Sequence, residues 1–401
     1  MKPSSFRWFA MADSLRVEDI RQFNIKSVLS LIHDSRNVGG LSQSDVVSRL
    51  TLKAPTVFRI FNTLEADGFI SPCASKSTSD MPKSGRRPTY YNINNDACYE
   101  VAIEFWSNCI SIGVFNFACD VIYSDIHSLK TLTNIEDVID IICNMVDMAI
   151  EKTGIKKEKI IGLGVAAPGK VSVSDGKVIY YGKIAGLENY PLKDVLEERT
   201  GLKVLVHNNC SAIAYSLYNS RSKASSSSLF TFLLRSGVNG SLVNENGIFL
   251  SADNTTLEAG HLIVKPNGMK CSCGMCGCLQ AQLMELDKGH GDSGSSFKSI
   301  FDNIPSGEEG DSIIREAADY LFIAVKDIQR FSAPDSFLII CSSAFVAERI
   351  ATCLRERLAK EKDFFARKDP SIIGMGYDTS LALRGATELV FADFFGKKAK
   401  S

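Results

Sequence analysis

The stretch from His261 to Cys278 constrains this chain more than any other. Cys271, Cys273, Cys276 and Cys278 place four thiols within eight residues, with Gly274 and Gly277 permitting tight backbone curvature. His261 stands ten residues upstream of the first cysteine, across the turn-like Pro-Asn-Gly-Met-Lys of residues 266–270. Four soft Cys and His donors on one compact loop are what tetrahedral Zn²⁺ requires, and three cysteines with one histidine would close a structural site. At most four of these five candidates can bind, and spacing alone leaves open which cysteines join His261. Reduced thiols without a metal are the plain alternative. A redox pair is disfavoured because no strand–CxxC–helix context surrounds the cluster. The other eight cysteines (73, 98, 109, 119, 143, 210, 341 and 353) sit in or near apolar segments and read as small core residues.

Metal before disulfide is also what the compartment implies. No apolar run approaches the roughly 20 residues of a membrane span. The first 20 residues lack the continuous apolar stretch of a signal peptide. A cytoplasmic protein that does not enter a membrane is expected, and there disulfides are rare. The 401 residues allow two or three domains, and 45% apolar with 23% charged residues exclude wholesale disorder.

The formal net charge of −1 conceals a division. Residues 1–95 carry 13 Lys plus Arg against 8 Asp plus Glu, a net of +5, which leaves −6 for the remainder. A basic N-terminal piece on an acidic body fits a nucleic-acid module joined to a separate domain. Ile25, Val28, Leu29 and Ile32 follow helical spacing up to about Ser35. Ser42 is placed to cap a second short helix carrying Val46, Val47 and Leu50. Val57, Ile60, Phe61 and Leu64 repeat the spacing, and Gly68 sits where a helix ends. Three short helices with a tight second-to-third connection predict a helix-turn-helix. Phe69-Ile70 and Thr89–Ile93, flanking a polar stretch, add a β-hairpin wing with Lys83, Arg86 and Arg87 at its base. The third helix would present Lys53, Ala54, Pro55, Thr56 and Arg59 to the major groove of double-stranded DNA. Arg86 and Arg87 would meet phosphates or the minor groove. A small helical protein-interaction domain is the competing reading.

The body alternates strands and helices. Alternating apolar residues from Glu100 to about Ile122 predict paired strands, followed by a helix through Val138, Ile142 and Met145. IIGLGVAAPGKV (160–171) reads as a buried strand ending in a Gly-Pro turn. A helix over Leu192–Thr200 precedes a strand ending at Asn208 and Asn209. A hairpin of strands from Leu229 to Leu250, a helix around Ala317–Phe331 and the strand SFLIICSS complete the pattern. It predicts an α/β fold with mixed sheets. No short-period repeat is visible.

These residues, in this order, resemble the ROK family of repressors, open reading frames and sugar kinases, from about Val17 to Phe395. The most specific element is E-x-G-H followed by C-x-C-G-x-x-G-C, present as Glu258 through Cys278. The resemblance implies an actin-like, ribonuclease-H-like body of two α/β lobes with a sugar cleft between them, behind an N-terminal winged helix-turn-helix. It implies the boundaries 1–95 for the DNA-binding domain and 96–206 for a first lobe completed by 380–401. Residues 207–379 would form a second lobe with the zinc loop and a dimerisation surface. The implied zinc ligands are His261, Cys271, Cys273 and Cys278, with Cys276 a non-ligand. Sugar contacts would fall on Asn208, Asn209, Glu258, His261 and Gln280.

Departures from the kinase pattern bear on function. The first phosphate loop, D-x-G-G-T-K in the kinases, corresponds to Glu104-Phe105-Trp106-Ser107-Asn108-Cys109, which has no glycine. The second, G-T-G-x-G-x-G, is eroded to Arg235-Ser236-Gly237-Val238-Asn239-Gly240, and the adenosine-side Gly-Gly is Ser342-Ser343. The catalytic Asp is replaced by Asn209, and an amide cannot accept the proton of a sugar hydroxyl. A repressor of carbohydrate-metabolism genes that senses a sugar-like effector, acts as a homodimer or homotetramer and lacks catalysis is expected. A sugar kinase with an added DNA-binding arm is the alternative. A degenerate dimerisation platform without a small ligand is a third.

Overall fold

Glu18 and Asp19 in the first turn suit the positive end of a helix, and helix α1 begins at Val17 and runs to Asp34, earlier than the apolar spacing alone suggests. This computed structural model describes residues 17–74, 88–129, 134–221, 227–287, 299–302, 304–361 and 369–397. Described residues up to Cys98, with Phe394–Lys397, form one unit; Tyr99–Asp393 form a second.

In the first unit, strand β1 (Leu41–Ser42) leads into α2 (Gln43–Leu50). A reciprocal capping box fixes the start of α2: the Ser42 hydroxyl accepts from the Asp45 N–H at 3.2 Å, and the Asp45 carboxylate accepts from the Ser42 N–H at 2.8 Å. Thr51, left-handed at φ 52°, turns the chain through Leu52 and Lys53 into α3 (Ala54–Ala66). Val57, Ile60, Phe61 and Leu64 of α3 are buried, as are Val28, Leu29 and Ile32 of α1. Strands β2 (Ile70–Cys73) and β3 (Tyr90–Ile93) pair antiparallel, with β1 on the other edge of β3. Arg86 and Arg87, with Lys83, lie outside the described residues. Phe395 packs on His33 at 5.1 Å between ring centroids, and Lys397 pairs with Asp34 at 2.9 Å.

The second unit holds two five-stranded sheets. The first comprises β4 (Tyr99–Phe105), β5 (Cys109–Asn116), β6 (Val121–Ser128), β7 (Ile160–Ala167) and β11 (Val204–Asn208). Between these lie helix α4 (Ile135–Thr153), a small antiparallel sheet of β8 (Lys170–Ser172), β9 (Lys177–Tyr180) and β10 (Glu188–Tyr190), and helix α5 (Leu192–Thr200). Helix α6 (Asn209–Ser220) follows. The second sheet comprises β12 (Ser228–Leu234), β13 (Val238–Asn244), β14 (Gly247–Ile248), β15 (Ser336–Cys341) and β16 (Ser371–Gly376). Helices α7 (Leu279–Asp287), α8 (Glu308–Ser332) and α9 (Ala344–Lys360) lie between its strands in sequence, and α10 (Thr379–Phe394) ends the fold.

The two large sheets share one topology. Taken in chain order, both arrange their strands 3-2-1-4-5, with the first three antiparallel and the last two parallel to the first. A structural duplication thus exists where no sequence repeat is visible, and it is the actin-like arrangement. Between the sheets, Ala212 and Ile213 of α6 and Leu383, Ala386 and Leu389 of α10 share one core with Ala102, Ala166, Leu229 and Leu338. Three details differ from the sequence pattern. Helix α8 begins at Glu308 because Glu308, Glu309 and Asp311 favour its first turn. Strand β11 ends at Asn208, so Asn209 opens α6 instead of closing the strand. The sheet β8–β10 has no counterpart in the sequence pattern. Among the described residues no helix is long and apolar enough to cross a membrane.

Candidate functional site

Helix α3 sorts its residues by face. Its apolar stripe is buried, while Lys53, Ala54, Pro55, Thr56 and Arg59 are exposed. Lys53 is the N-cap without a side-chain cap bond, and Pro55 sits in the first turn, where its missing N–H costs nothing. Phe58, 54% exposed, lies on the same open face. The sequence signal for it is that Phe58 falls off the stripe formed by residues 57, 60, 61 and 64. A large apolar ring there suits contact with a thymine methyl.

The cysteine loop converges on a point. His261 ends a short 3₁₀ turn, Ala259–His261, and its Nδ1 lies 3.5 Å from the Cys271 Sγ. Cys273 and Cys278 have their sulfurs 3.6 Å apart, and the ligand atoms of His261, Cys271, Cys273 and Cys278 all lie within 4.8 Å of one another. A tetrahedral zinc with bonds of roughly 2.0–2.3 Å needs ligand separations of about 3.5–3.8 Å, so this donor set can hold a metal. Gly277, at φ +85°, makes the curvature possible: a Cβ there would stand 1.9 Å from the Lys265 carbonyl oxygen. The Met275 backbone N–H holds the Cys273 thiol below its ordinary range, which favours the ligating thiolate. Cys276 is exposed and outside the group. On the far side of the ring, His261 Nε2 faces Glu258 Oε2 at 3.8 Å.

Glu258 lies near several segments that meet around residues 169–172. Asn208 caps α6, accepting from the Cys210 N–H at 2.8 Å and donating to the Gly169 carbonyl at 2.7 Å. The next residues, Val171 and Ser172, bridge to Thr255 and Thr256, with Thr256 N–H donating to the Val171 carbonyl at 3.2 Å. That pairing carries Glu258 alongside Lys170. Burial pushes the Glu258 carboxyl up, and the Lys170 charge opposes this. Asn208, Glu258 and His261 are therefore linked through the 169–172 turn. Gln280 instead braces the loop after β12, its Oε1 accepting from the Val238 N–H at 2.9 Å.

Asn209 stands apart from solvent. It is fully buried, and its Nδ2 donates to Glu104 Oε1 at 3.2 Å and to the Phe105 carbonyl at 3.4 Å. Glu104, 1% exposed, also accepts from the Trp106 indole at 2.8 Å and from the Tyr377 hydroxyl at 2.5 Å to each oxygen. Burial raises its carboxyl above the ordinary range, against those bonds and the nearby Arg235 charge. The Arg235 guanidinium stacks over both Tyr377 and Trp106, at 3.8 and 4.6 Å from the ring centres. Nothing in the sequence pattern marks Tyr377. Trp106, Ser107, Asn108, Arg235, Ser236 and Ser342 line one pocket, with Ser299 and Asp302. The three segments compared with nucleotide-binding motifs thus meet at a cavity of only about 210 Å³, well under the roughly 300–1,000 Å³ of ordinary ligand pockets.

The chain is similar to known proteins along most of its length. The family model described as ROK family matches residues 107–392. The xylose repressor of Caldicellulosiruptor bescii is 22% identical over 369 residues, covering 87% of this chain and 90% of that protein. A crystal structure of a ROK family transcriptional regulator, homolog of the E. coli MLC protein, matches 95% of this chain and 100% of its own, with a TM-score of 0.73 and 17% identity. A ROK family glucokinase from Streptomyces griseus, solved with glucose and AMPPNP, matches 73% of this chain and 98% of its own, with a TM-score of 0.58 and 21% identity.

Proposed function

We propose, because the chain belongs to the ROK family, that it is a DNA-binding transcriptional regulator of the repressor type for genes of carbohydrate metabolism. Its kinase-like body senses a sugar or sugar derivative without transferring phosphate. The observation that carries this reading is Arg235, whose guanidinium lies 3.8 Å from the Tyr377 ring centre and 4.6 Å from that of Trp106 in the pocket where the three altered nucleotide segments meet. Bulky side chains stand where the kinase pattern has phosphate-loop glycines, and Asn209 in place of a carboxylate removes the general base. The repressor name of the Caldicellulosiruptor relative points the same way.

In this reading α3 enters the major groove with Lys53, Ala54, Pro55, Thr56, Phe58 and Arg59, and the hairpin with Arg86 and Arg87 adds backbone contacts. Residues 1–95 act as the reader. The sheet of β4–β7 and β11 (96–206, with 380–401) and that of β12–β16 (207–379) act as the two lobes of the sensor. Asn208, Glu258 and His261 face the effector; Asn209 and Gln280 shape the floor beneath. His261, Cys271, Cys273 and Cys278 would hold a structural zinc, which supplies rigidity to the loop when bound. Glu258 orients the free side of the His261 ring. A homodimer or homotetramer in the cytoplasm pairs two readers on a two-half-site operator. An effector preferring one lobe arrangement shifts operator affinity through that preference.

The test is selection of duplexes from a random library with the full chain, followed by gel shift at fixed salt. Arg59→Ala should weaken binding of the selected duplex by at least about tenfold, as loss of a base-contacting arginine does, with zinc content and oligomer unchanged. A panel of D-xylose, D-glucose and N-acetylglucosamine, with their phosphates, should contain a sugar that raises the melting temperature and changes duplex affinity. Failure to enrich any duplex, or measurable ATP turnover with a sugar, would overturn the reading.

A further inference from the structure

The chain passes between its two units twice among the described residues: into β4 after Cys98, and out of α10 at Asp393. Within the second unit, two buried carboxylates of β4 tie that strand to α10 and its entry. Glu100 and Glu104 lie four residues apart on β4, and so point to the same face of the sheet. Both reach α10 or its entry. Glu104 accepts from the hydroxyl of Tyr377, two residues before α10 begins. Glu100 accepts from the Thr387 hydroxyl in the middle of α10 at 2.6 Å, and from the Gly164 N–H of β7 at 3.0 Å. The strand and the helix are packed close between these ties. A Cβ on Gly164 would stand 2.7 Å from the Ala386 carbonyl oxygen.

The same Glu104 takes an input from the cleft. Asn209, which donates to it, follows Asn208 directly at the end of β11, and Asn208 is bonded to the Gly169 turn beside Lys170. The Asn209 Oδ1 is buried without a partner among the described atoms, so this side chain is held by its donor end alone. At the other end of α10, Phe394–Lys397 belong to the first unit, where the Phe394 ring stacks on Phe69 at 6.2 Å and Lys397 pairs with Asp34 of α1.

We propose that Glu104, joined to Tyr377 and Asn209, is the positioning residue through which the state of the sugar cleft reaches the DNA-reading unit, by setting β4 against α10. This rests on the regulator reading above. The cleft end is Asn208-Asn209, the junction is Glu104 with Tyr377, and Glu100 with Thr387 keeps strand and helix moving together. A displacement at the end of β11 changes the Asn209–Glu104 bond. Glu104 and Tyr377 then pass it to both chain connections at once. Arg235 holds the Tyr377 ring from the second sheet, so the junction also feels the position of that lobe.

The test is amide hydrogen exchange on the full, zinc-loaded chain carrying Tyr377→Phe, Glu104→Gln or both. Tyr377→Phe keeps the ring beneath Arg235 and removes the hydroxyl's bonds to Glu104 and its acceptance from the Trp106 indole at 3.3 Å. Peptides covering 388–397 and helix α1 should exchange at least about fivefold faster in each single variant, while α8, whose core includes no residue of β4 or α10, is unchanged. The double variant should add little to either single one, as expected of partners in one interaction. Faster exchange confined to residues 99–106 and 371–381, with α1 unaltered, would overturn the proposal; so would full additivity. If Glu104→Gln proves too unstable to purify, Tyr377→Phe alone decides. The exchange readout uses neither DNA nor sugar. Failure to enrich a duplex would therefore sink the regulator reading while leaving this coupling separately confirmed or refuted.

Discussion

The Arg235 guanidinium lies 3.8 Å from the centre of the Tyr377 ring and 4.6 Å from that of Trp106, two rings set edge to face at 82°. An arginine here fills space that a glycine would leave open for phosphates, and it brings positive charge to the buried Glu104. Arg235→Ala should therefore cost about 2–3 kcal/mol in denaturant unfolding, combining lost stacking with a less compensated carboxylate. Arg235→Lys should recover less than half of that, because an ammonium has no plane to lay against the Tyr377 ring. Equal stability of Arg235→Ala and the wild type would show that the stack is incidental.

The cysteine loop separates ligand from bystander in a way that elemental analysis can read. Cys276→Ser should retain one zinc per chain and its melting temperature, since the Cys276 thiol is exposed and outside the ligand group. Cys273→Ser should lose the metal or bind it at least about tenfold more weakly, because three donors no longer close a tetrahedron. Chelation of the wild type should lower its melting temperature. Retention of zinc by Cys273→Ser with loss in Cys276→Ser would reverse the assignment.

Glu100 makes stability depend on pH. Burial pushes its carboxyl from 4.5 up to about 8, against the bonds from Thr387 and Gly164. The folded state thus holds a proton that the unfolded chain releases above about 4.5. The contribution is fully present below that pH and is lost as pH rises through about 8. Glu100→Gln should flatten this fall, being more stable than the wild type at pH 8–9 by on the order of 1–3 kcal/mol and near equal at pH 5. Parallel stability curves for the two proteins between pH 5 and 9 would count against a buried, protonated Glu100.

What the sequence revealed follows from the range over which each signal acts. The stripe of Val57, Ile60, Phe61 and Leu64 is set by one helix's own period, and those four are the buried residues of α3. His261 and the cysteines lie within eighteen residues, so their meeting is nearly a local event. The duplicated sheet topology left no such trace. Strands β4 and β12 need only apolar alternation, which many unrelated segments satisfy. The sheet β8–β10 did have a cue in Asp175-Gly176 between alternating residues, but its strands are only three or four residues long. The Glu104–Tyr377 bond spans 273 positions. No periodicity relates two such residues, and a carboxylate inside an apolar strand reads as an ordinary outward-facing side chain until the partner strands and α10 are placed over it.

Asn209 invites the reverse substitution, since an aspartate there would restore the catalytic group of the kinase pattern. Asn209→Asp should nonetheless show no phosphorylation of D-glucose, D-xylose or N-acetylglucosamine by ATP. The new carboxylate would meet Glu104 Oε1 where the amide now donates at 3.2 Å, exchanging a hydrogen bond for the approach of two acceptors in a fully buried place. One of the pair must then hold a proton at neutral pH, so the introduced group is a poor base. Arg235, Trp106 and Ser342 still line the pocket where the kinase pattern has glycines. The expected signature is a loss of about 2–4 kcal/mol in unfolding free energy at pH 7 that shrinks as the pH is lowered toward 5 and the pair becomes protonated. Sugar-dependent ATP turnover by this variant would show instead that the Arg235 stack opens readily, and that the body is a kinase lacking only its base.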